Sequence, residues 1–194
     1  VGTANNIYTS AAAPGSAAGD LLKIFNEHGY TDPCYISGQN STQAIYFMSD
    51  YLKFGKTTYH GGLTHGIPDI ETGRKTNIKL SVDKVTYKSN PSASTTGNYD
   101  PNGKASITTF ALIVVLEGPG SVNVNDGTTK SGVLSDMYKA YGTPWAWETA
   151  DIVLYGVTSE TKVTIKTDQV NTTGMLCRYY LDNLKFEKHS VVTP

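Results

Sequence analysis

Aromatic residues concentrate in one short stretch of the chain, "DMYKAYGTPWAWE". The stretch contains Tyr138, Tyr141, both tryptophans of the chain (Trp145 and Trp147) and then Glu148. Rings of this kind can stack on a flat apolar face of a ligand, because stacking removes apolar area from water. The alternative is that the rings fold over a sheet face as a small cluster of the protein's own core.

Rings outside the strand patterns are the better candidates for ligand binding, because binding residues concentrate on loops. Tyr59 in "TTYHGG" and Tyr99 in "GNYDPNG" join the candidates on this ground. Other tyrosines lie within strand patterns, and we predict that they pack in the core or against neighbouring strands. These are Tyr46, Tyr87, Tyr155 and Tyr180.

Catalytic chemistry finds little support in the sequence. The chain contains no nucleophile elbow, phosphate-binding loop, dinucleotide fingerprint or HExxH pattern. A glycoside hydrolase needs two carboxylates at a suitable separation, and Glu148 beside the tryptophans is the acid with the most suggestive surroundings. A solvated acid at the start of a strand is the competing interpretation of Glu148. His60 and His65 in "HGGLTH" lack the further ligands that zinc requires.

Length and composition indicate one domain over residues 1–194, with 1–18 as a small-residue linker or loosely packed segment. Charged residues make up 17% of the chain, below the roughly 25% of ordinary soluble domains, whereas Ser, Thr, Asn, Gly and Tyr are plentiful. That mixture favours an extracellular β-protein. The net charge of -1 and the scattered basic residues argue against a nucleic-acid partner. No apolar run is long enough to span a membrane as a helix.

Hydrophobic periodicity predicts strands almost throughout. Ala18, Leu21 and Phe25 recur at helical spacing before Gly29, so we expect one short N-terminal helix. From about residue 44 the pattern alternates, with a parity slip near Asp83 that suggests a β-bulge. The run "FALIVVL" is apolar at both parities and predicts a strand covered on both faces. Several such strands without intervening helices indicate an antiparallel β-sandwich.

The C-terminal part of the chain resembles a known class of domain. "WETADIVLYGVTSETKVTIKT" followed by "RYYLDNLKFEK" resembles the end of jelly-roll domains of the galactose-binding-like class, common in bacterial surface glycan-utilisation proteins. "YLKFGKTTYHGGLTHGIPDI" looks like the upstream segment of these domains. The resemblance implies an all-β sandwich with jelly-roll topology. The positions that match best are Trp147, Gly156, Thr158, Ser159, Thr161, Ile165, Arg178, Tyr180, Asp182, Asn183 and Leu184.

The same resemblance implies a non-catalytic carbohydrate-binding or accessory module of a polysaccharide-processing system. The protein would then be a monomer that binds a glycan. It would be secreted or held at the cell surface, with a lipid anchor expected in the precursor. A structural or protein-interaction domain on the cell surface is the alternative, and a small glycoside hydrolase or lyase is a third hypothesis. No cofactor is required for carbohydrate binding.

Two residues gain a specific role from the resemblance. In related jelly rolls the acid at the position of Asp182 contributes to a structural calcium site, here with Asp20 or a backbone carbonyl. The alternative is that Asp182 accepts a hydrogen bond from a neighbouring strand or loop. Trp147 falls where the pattern keeps a strand-opening tryptophan, so we expect Trp147 to serve packing. Trp145 has no place in that pattern, which leaves it as the main candidate for ligand stacking.

We therefore predict that Trp145→Ala abolishes retention of the protein on a polysaccharide ligand and leaves its melting temperature nearly unchanged. Affinity electrophoresis and thermal unfolding measure the two effects. A large loss of stability with unchanged retention would place Trp145 in the core.

Overall fold

The computed structural model describes residues 51–54, 62–86, 110–137, 147–168 and 179–190, together with residue 27 and the backbone of 5–6, 30–31 and 45–47. The predicted helix between Ala18 and Phe25 lies outside these residues, and so does most of the aromatic stretch before Trp147. No helix in the described part of the chain is long and apolar enough to cross a membrane.

The described residues form twelve strands, and the pairings between them are antiparallel. In chain order they are β1 (Asn5–Asn6), β2 (Tyr30–Thr31), β3 (Ile45–Phe47), β4 (Leu52–Phe54), β5 (Gly62–Gly66), β6 (Thr76–Thr86), β7 (Ala111–Glu117), β8 (Ser121–Val122), β9 (Ser131–Asp136), β10 (Glu148–Val157), β11 (Lys162–Thr167) and β12 (Tyr179–Lys188).

The strand order confirms the predicted jelly roll. One sheet has the order β1-β3-β4-β12-β6-β10-β8, and the other has the order β2-β5-β11-β7-β9. From β4 onward the chain passes back and forth between the two sheets, so that β4-β12-β6-β10 belongs to one and β5-β11-β7-β9 to the other. This interleaving of eight strands is the jelly-roll arrangement, in which two Greek keys close a sandwich.

The core lies between the two sheets and follows from the two-residue period of the strands. β6 contributes Leu80 and Val82, and β7 contributes Leu112 and Val114, all of them fully buried. At one end of the core, Phe54 and Tyr179 stack with ring centroids 4.9 Å apart. Burying one such side chain contributes about 1.5–3 kcal/mol, so these rows account for most of the cohesion between the sheets.

Glycines hide β5 and β9 from the hydrophobic pattern of the sequence. β5 reads "GLTHG", which looks like a glycine-rich turn, yet it pairs with both β2 and β11. β9 reads "SGVLSD" and pairs with β7. At Gly132 of β9 a Cβ atom would lie 2.6 Å from the Val122 side chain, so close packing requires a residue without a side chain.

The internal strand β7 is confirmed, although Ile113 and Val115 are half-buried rather than fully covered.

The parity slip near Asp83 has a different cause from the predicted bulge. β6 pairs with β10 without interruption from Ile78 through Lys84. The irregularity lies instead in the partner strand β12, where pairing moves from Asp182 opposite Asp83 to Lys185 opposite Ser81. The predicted bulge in β6 is therefore wrong. Val85 is apolar at the opposite parity because it contributes to a small cluster on the other face of the sheet.

A lysine holds together the turns between β7 and β9. The Lys130 ammonium group donates to the carbonyl oxygens of Gly118 at 3.0 Å and Gly127 at 3.3 Å, and also to that of Gly120. Asp126 closes the adjoining turn, because its carboxylate accepts from the backbone N–H groups of Thr128 and Thr129 at 2.8 Å each. The Thr129 hydroxyl also donates to Asp126 Oδ2 at 2.5 Å, and this bond first, then the two backbone bonds, lowers the pKa of Asp126. The Gly and Asx residues of "NVNDGTTKSG" are typical of a turn, and the segment does form one.

We predict that Gly120→Ala lowers the free energy of unfolding by about 1–3 kcal/mol. Gly120 has φ +109, and a Cβ there would lie 2.9 Å from the carbonyl oxygen of Tyr155. Urea unfolding measures the loss. The control is Gly66→Ala, because nothing lies within 4 Å of a Cβ at Gly66. Equal stability of the two variants would contradict the strain assigned to Gly120.

Candidate functional site

The seven-stranded sheet turns one face to the core, and we call the opposite face the outer face. Leu80 and Val82 of β6 point into the core, so the intervening positions Ser81, Asp83 and Val85 lie on the outer face. Strands β10 and β12 flank β6 in register on either side. The outer face is thus built from three long strands whose side chains are placed by alternation.

Three rings lie together at one end of the outer face, where Tyr51 contacts both Trp147 and Tyr180, and we call these three residues the aromatic cluster. The Tyr51 ring centroid lies 5.4 Å from that of Trp147 and 5.2 Å from that of Tyr180, edge to face in both cases. Tyr180 is 1% exposed and packs with Val85 in a cluster separate from the main core. Trp147 is 38% exposed. The buried Tyr180 thus packs against Tyr51, which in turn contacts the partly exposed indole of Trp147.

Trp147 does pack, against the Tyr51 ring, but it does so on the outer face and outside the main core. Trp147 immediately precedes β10 and alternates with Glu148, so it shares a side with Thr149 and not with the buried Ala150. The main core contains Ala150 and omits Trp147. The pattern located the start of the strand correctly, but the face that the indole occupies depends on the register between β10 and β6.

Next to the aromatic cluster, Asp83 is held by two neutral donors. The Thr149 hydroxyl donates to Asp83 Oδ1 at 2.5 Å, and Asn183 Nδ2 donates to Asp83 Oδ2 at 2.8 Å. These bonds, the one from Thr149 first, lower the pKa of the Asp83 carboxyl group. Asp182 faces Asp83 across the strand pair, and its Oδ1 accepts from the backbone N–H of Asn183 at 2.8 Å. Two carboxylates and an amide thus share one short stretch.

Farther along the outer face the charges are paired. The Ser81 hydroxyl donates to Asp151 Oδ1 at 2.6 Å, and the Lys79 ammonium group lies 3.0 Å from Asp151 Oδ2. Both contacts, the bond from Ser81 first, lower the pKa of Asp151. Lys185 and Glu187 of β12 form a further ion pair at 2.8 Å. Along the strands, the outer face therefore presents first the aromatic cluster, then carboxylates bound by neutral groups, and finally ion pairs.

The structure describes only some of the residues predicted from the sequence to bind a ligand. Glu148 lies at the exposed start of β10 and forms an ion pair with Lys84, and alternation turns it to the side opposite Trp147. Glu148 therefore does not join the aromatic cluster, although it is adjacent to Trp147 in sequence. The others lie outside the described residues; they are Trp145, Tyr141, Tyr138, Tyr59 and Tyr99.

The calcium site predicted at Asp182 stays a prediction. Asp182 has one acidic neighbour on the outer face, Asp83, and Asp20 lies outside the described residues. Within the ranges that the structure covers, no three His, Cys, Asp or Glu side chains are grouped so as to hold a metal ion. The hydrogen bond that the structure gives Asp182 comes from the Asn183 backbone in its own strand, so the alternative of a bond to a neighbouring strand or loop also stays a prediction.

Sequence reasoning missed Asp83, Thr149 and Asn183 as members of the site. Their signal was present in the strand pattern, because Asp83 shares its parity with Ser81 and with the out-of-phase Val85. Polar residues at the outward positions of a strand are ordinary surface residues when the strand is considered alone. Only the pairing of β6 with both β10 and β12 brings these three side chains together.

Comparisons with known proteins give similarity to solved structures only. No protein-family model matches the chain, and no curated protein matches it. Among solved structures, the chain is similar to the crystal structure of a non-crystalline cellulose specific carbohydrate-binding module, CBM28, with 10% sequence identity and a TM-score of 0.39. The match covers 96% of this chain and 99% of that chain. Because a similarity this low says nothing about a ligand, the assignment of the jelly roll rests on the strand order.

We predict that Thr149→Val raises the pKa of Asp83 toward the ordinary aspartate value of about 3.9. The variant removes the hydroxyl group that donates to Asp83 Oδ1. NMR titration of the side-chain carboxyl carbon measures the change. Thr164→Val is the matched control, because the Thr164 hydroxyl bonds to that of Thr64 in the other sheet. An unchanged Asp83 pKa in Thr149→Val would contradict the assigned cause.

The same bond makes stability depend on pH in a defined direction. Because the pKa of Asp83 is lowered in the folded protein, its contribution is fully present above the unfolded pKa of about 3.9 and is lost as pH falls through the folded pKa. The stability difference between wild type and Thr149→Val should therefore shrink as the pH is lowered below about 4.

Proposed function

We propose that this protein is a non-catalytic carbohydrate-binding module that holds a glycan on the outer face of the seven-stranded sheet. The observation that supports the proposal is the position of Trp147, a solvent-exposed indole braced by Tyr51 and adjoining a row of hydrogen-bonding side chains. We further propose that the module works outside the cell or at the cell surface, as part of a polysaccharide-processing system. Its low charged fraction of 17% and its resemblance to surface glycan-utilisation domains support that setting.

The aromatic cluster supplies the apolar part of such a site. A sugar ring has faces of polarised C–H groups, which meet the electron-rich face of an indole and leave water as they do so. Trp147 is exposed enough to accept a sugar ring, whereas Tyr180, the innermost ring of the cluster, is buried. The edge-to-face contact with Tyr51 limits the orientations that the indole can adopt, and this lowers the entropy lost when a ligand is held.

The neighbouring polar side chains supply hydrogen bonds that orient the sugar. Sugar hydroxyl groups both donate and accept hydrogen bonds, and the site presents both kinds of partner. Asp83 and Asp182 offer carboxylate oxygens, and an ionised carboxylate has about four acceptor positions, of which local donors occupy only some. Because Thr149 and Asn183 already orient Asp83, its oxygens are placed before a ligand arrives.

The arrangement of acids argues against a hydrolase centred on Glu148. A hydrolase would need a carboxyl group beside the sugar that the aromatic cluster holds. Glu148 lies on the other side of β10 from Trp147 and is paired with Lys84. The acids that share the outer face with Trp147 are bound by neutral or cationic donors, as expected for residues that bind and orient a ligand.

We predict that Trp147→Ala weakens retention on polysaccharide gels by at least about tenfold, the equivalent of 1.4 kcal/mol. The variant removes the exposed ring, and its stability should fall by only about 0.5–1.5 kcal/mol through loss of the contact with Tyr51. Affinity electrophoresis on a panel of plant, host and microbial polysaccharides, alongside urea unfolding, measures both quantities. Trp147→Phe should retain part of the affinity.

The matched control is Val133→Ala, which shortens another exposed apolar residue that lies on β9 of the five-stranded sheet. A second test uses fluorescence: in Trp145→Phe the emission comes from Trp147 alone, so a bound glycan should shift its wavelength. Wild-type retention in Trp147→Ala, together with unshifted emission under saturating ligand, would rule out the proposed site. Absence of retention on every polysaccharide would rule out carbohydrate binding.

A further inference from the structure

The acceptors beside Trp147 carry negative charge that no cation in the described part of the chain neutralises. Asp83 and Asp182 are direct cross-strand neighbours. The donors that reach them are the Thr149 hydroxyl, the Asn183 amide and a backbone N–H, all of them neutral. Among the described residues neither carboxylate belongs to an ion pair.

The described lysines near this stretch are either paired with other acids or buried. Lys79 pairs with Asp151 at 3.0 Å, farther along the outer face. Lys84 lies next to Asp83 in sequence but alternates to the opposite side and pairs with Glu148. Lys53 of β4 shares the outer side with its cross-strand partner Tyr180, but it is only 5% exposed. Among the described residues, a ligand on Trp147 would therefore meet carboxylates and not exposed ammonium groups.

Resting on the proposed function, we infer that the outer face selects glycans without negative charge and rejects acidic ones. Hydroxyl groups of a neutral sugar donate to Asp83 and Asp182, and the ammonium group of an amino sugar could do the same. A uronate or sulfate group at this position would face two carboxylates that no cation of the described residues neutralises. The net charge of the whole chain is only -1, so the discrimination originates locally and not from general repulsion.

Matched polymers test this inference. Retention is compared on hydroxyethyl cellulose, a galactomannan and a β-1,3-glucan, each beside a carboxymethylated form of the same backbone. At about 10 mM salt, where the screening length is about 30 Å, we expect each carboxymethylated polymer to bind at least about tenfold more weakly than its neutral counterpart. At about 1 M salt, where the screening length is about 3 Å, the difference should fall below about threefold.

Charge variants locate the effect. Asp182→Asn preserves the shape of the side chain and should strengthen binding of the carboxymethylated polymers by several fold at low salt, without strengthening that of the neutral ones. Glu160→Gln is the matched control, because it removes the same charge from an exposed turn between β10 and β11. Glu160→Gln should leave the discrimination unchanged.

The outcomes separate the inference from the function on which it rests. Equal or tighter binding of the carboxymethylated polymers at low salt would overturn the charge selection and leave carbohydrate binding intact. Discrimination that persists unchanged at high salt and in Asp182→Asn would also overturn it, because the cause would then be steric. If none of the six polymers were retained at either salt concentration, the proposed function and the inference would fall together.

Discussion

The register of β6 between β10 and β12 is the constraint on which the core and the outer face both depend. In that register Leu80 and Val82 enter the core, while Asp83 and Val85 point away from it. A shift of one residue would exchange the two sets, because strand side chains alternate strictly between faces. It would bury a carboxylate without a partner and expose two aliphatic side chains. The free energy that this exchange would cost keeps the sheet in its observed pairing.

The irregularity in β12 reconciles two demands on that strand. Tyr180 and Asp182 belong on the outer face, whereas Leu184 and Phe186 must pack against the core. Uninterrupted alternation from Tyr180 would turn Leu184 and Phe186 outward. The shift in pairing after Asp182 inserts the extra residue that resets the alternation, and Asn183 adopts φ 50 there. The inserted residue also directs the Asn183 amide to Asp83, so one backbone feature serves both packing and the site.

The long strands could be predicted from sequence, because their alternation follows directly from burial on one side. β6, β10 and β11 lie in the part of the chain, from about residue 44, where the alternating pattern predicts strands. β5 and β9 could not be found in this way, because their glycines carry no hydrophobic signal. Gly132 is required by the nearby Val122 side chain, which comes from another strand. The sequence pattern predicts the bulge in the wrong strand for a related reason. The parity changes in β6 because Val85 packs against Tyr180, and only strand pairing brings these two residues together.

By itself the sequence determined the class of the fold, its antiparallel character and the aromatic and amide-rich chemistry available for binding. These properties are local, since they depend on residue type and on the period along one strand. The tertiary structure alone decided which side chains meet. It separated Trp147 from its sequence neighbour Glu148, because consecutive strand residues face opposite ways. It joined Trp147 to Tyr51, which lies in another segment of the chain, because cross-strand pairing brings distant residues within contact distance.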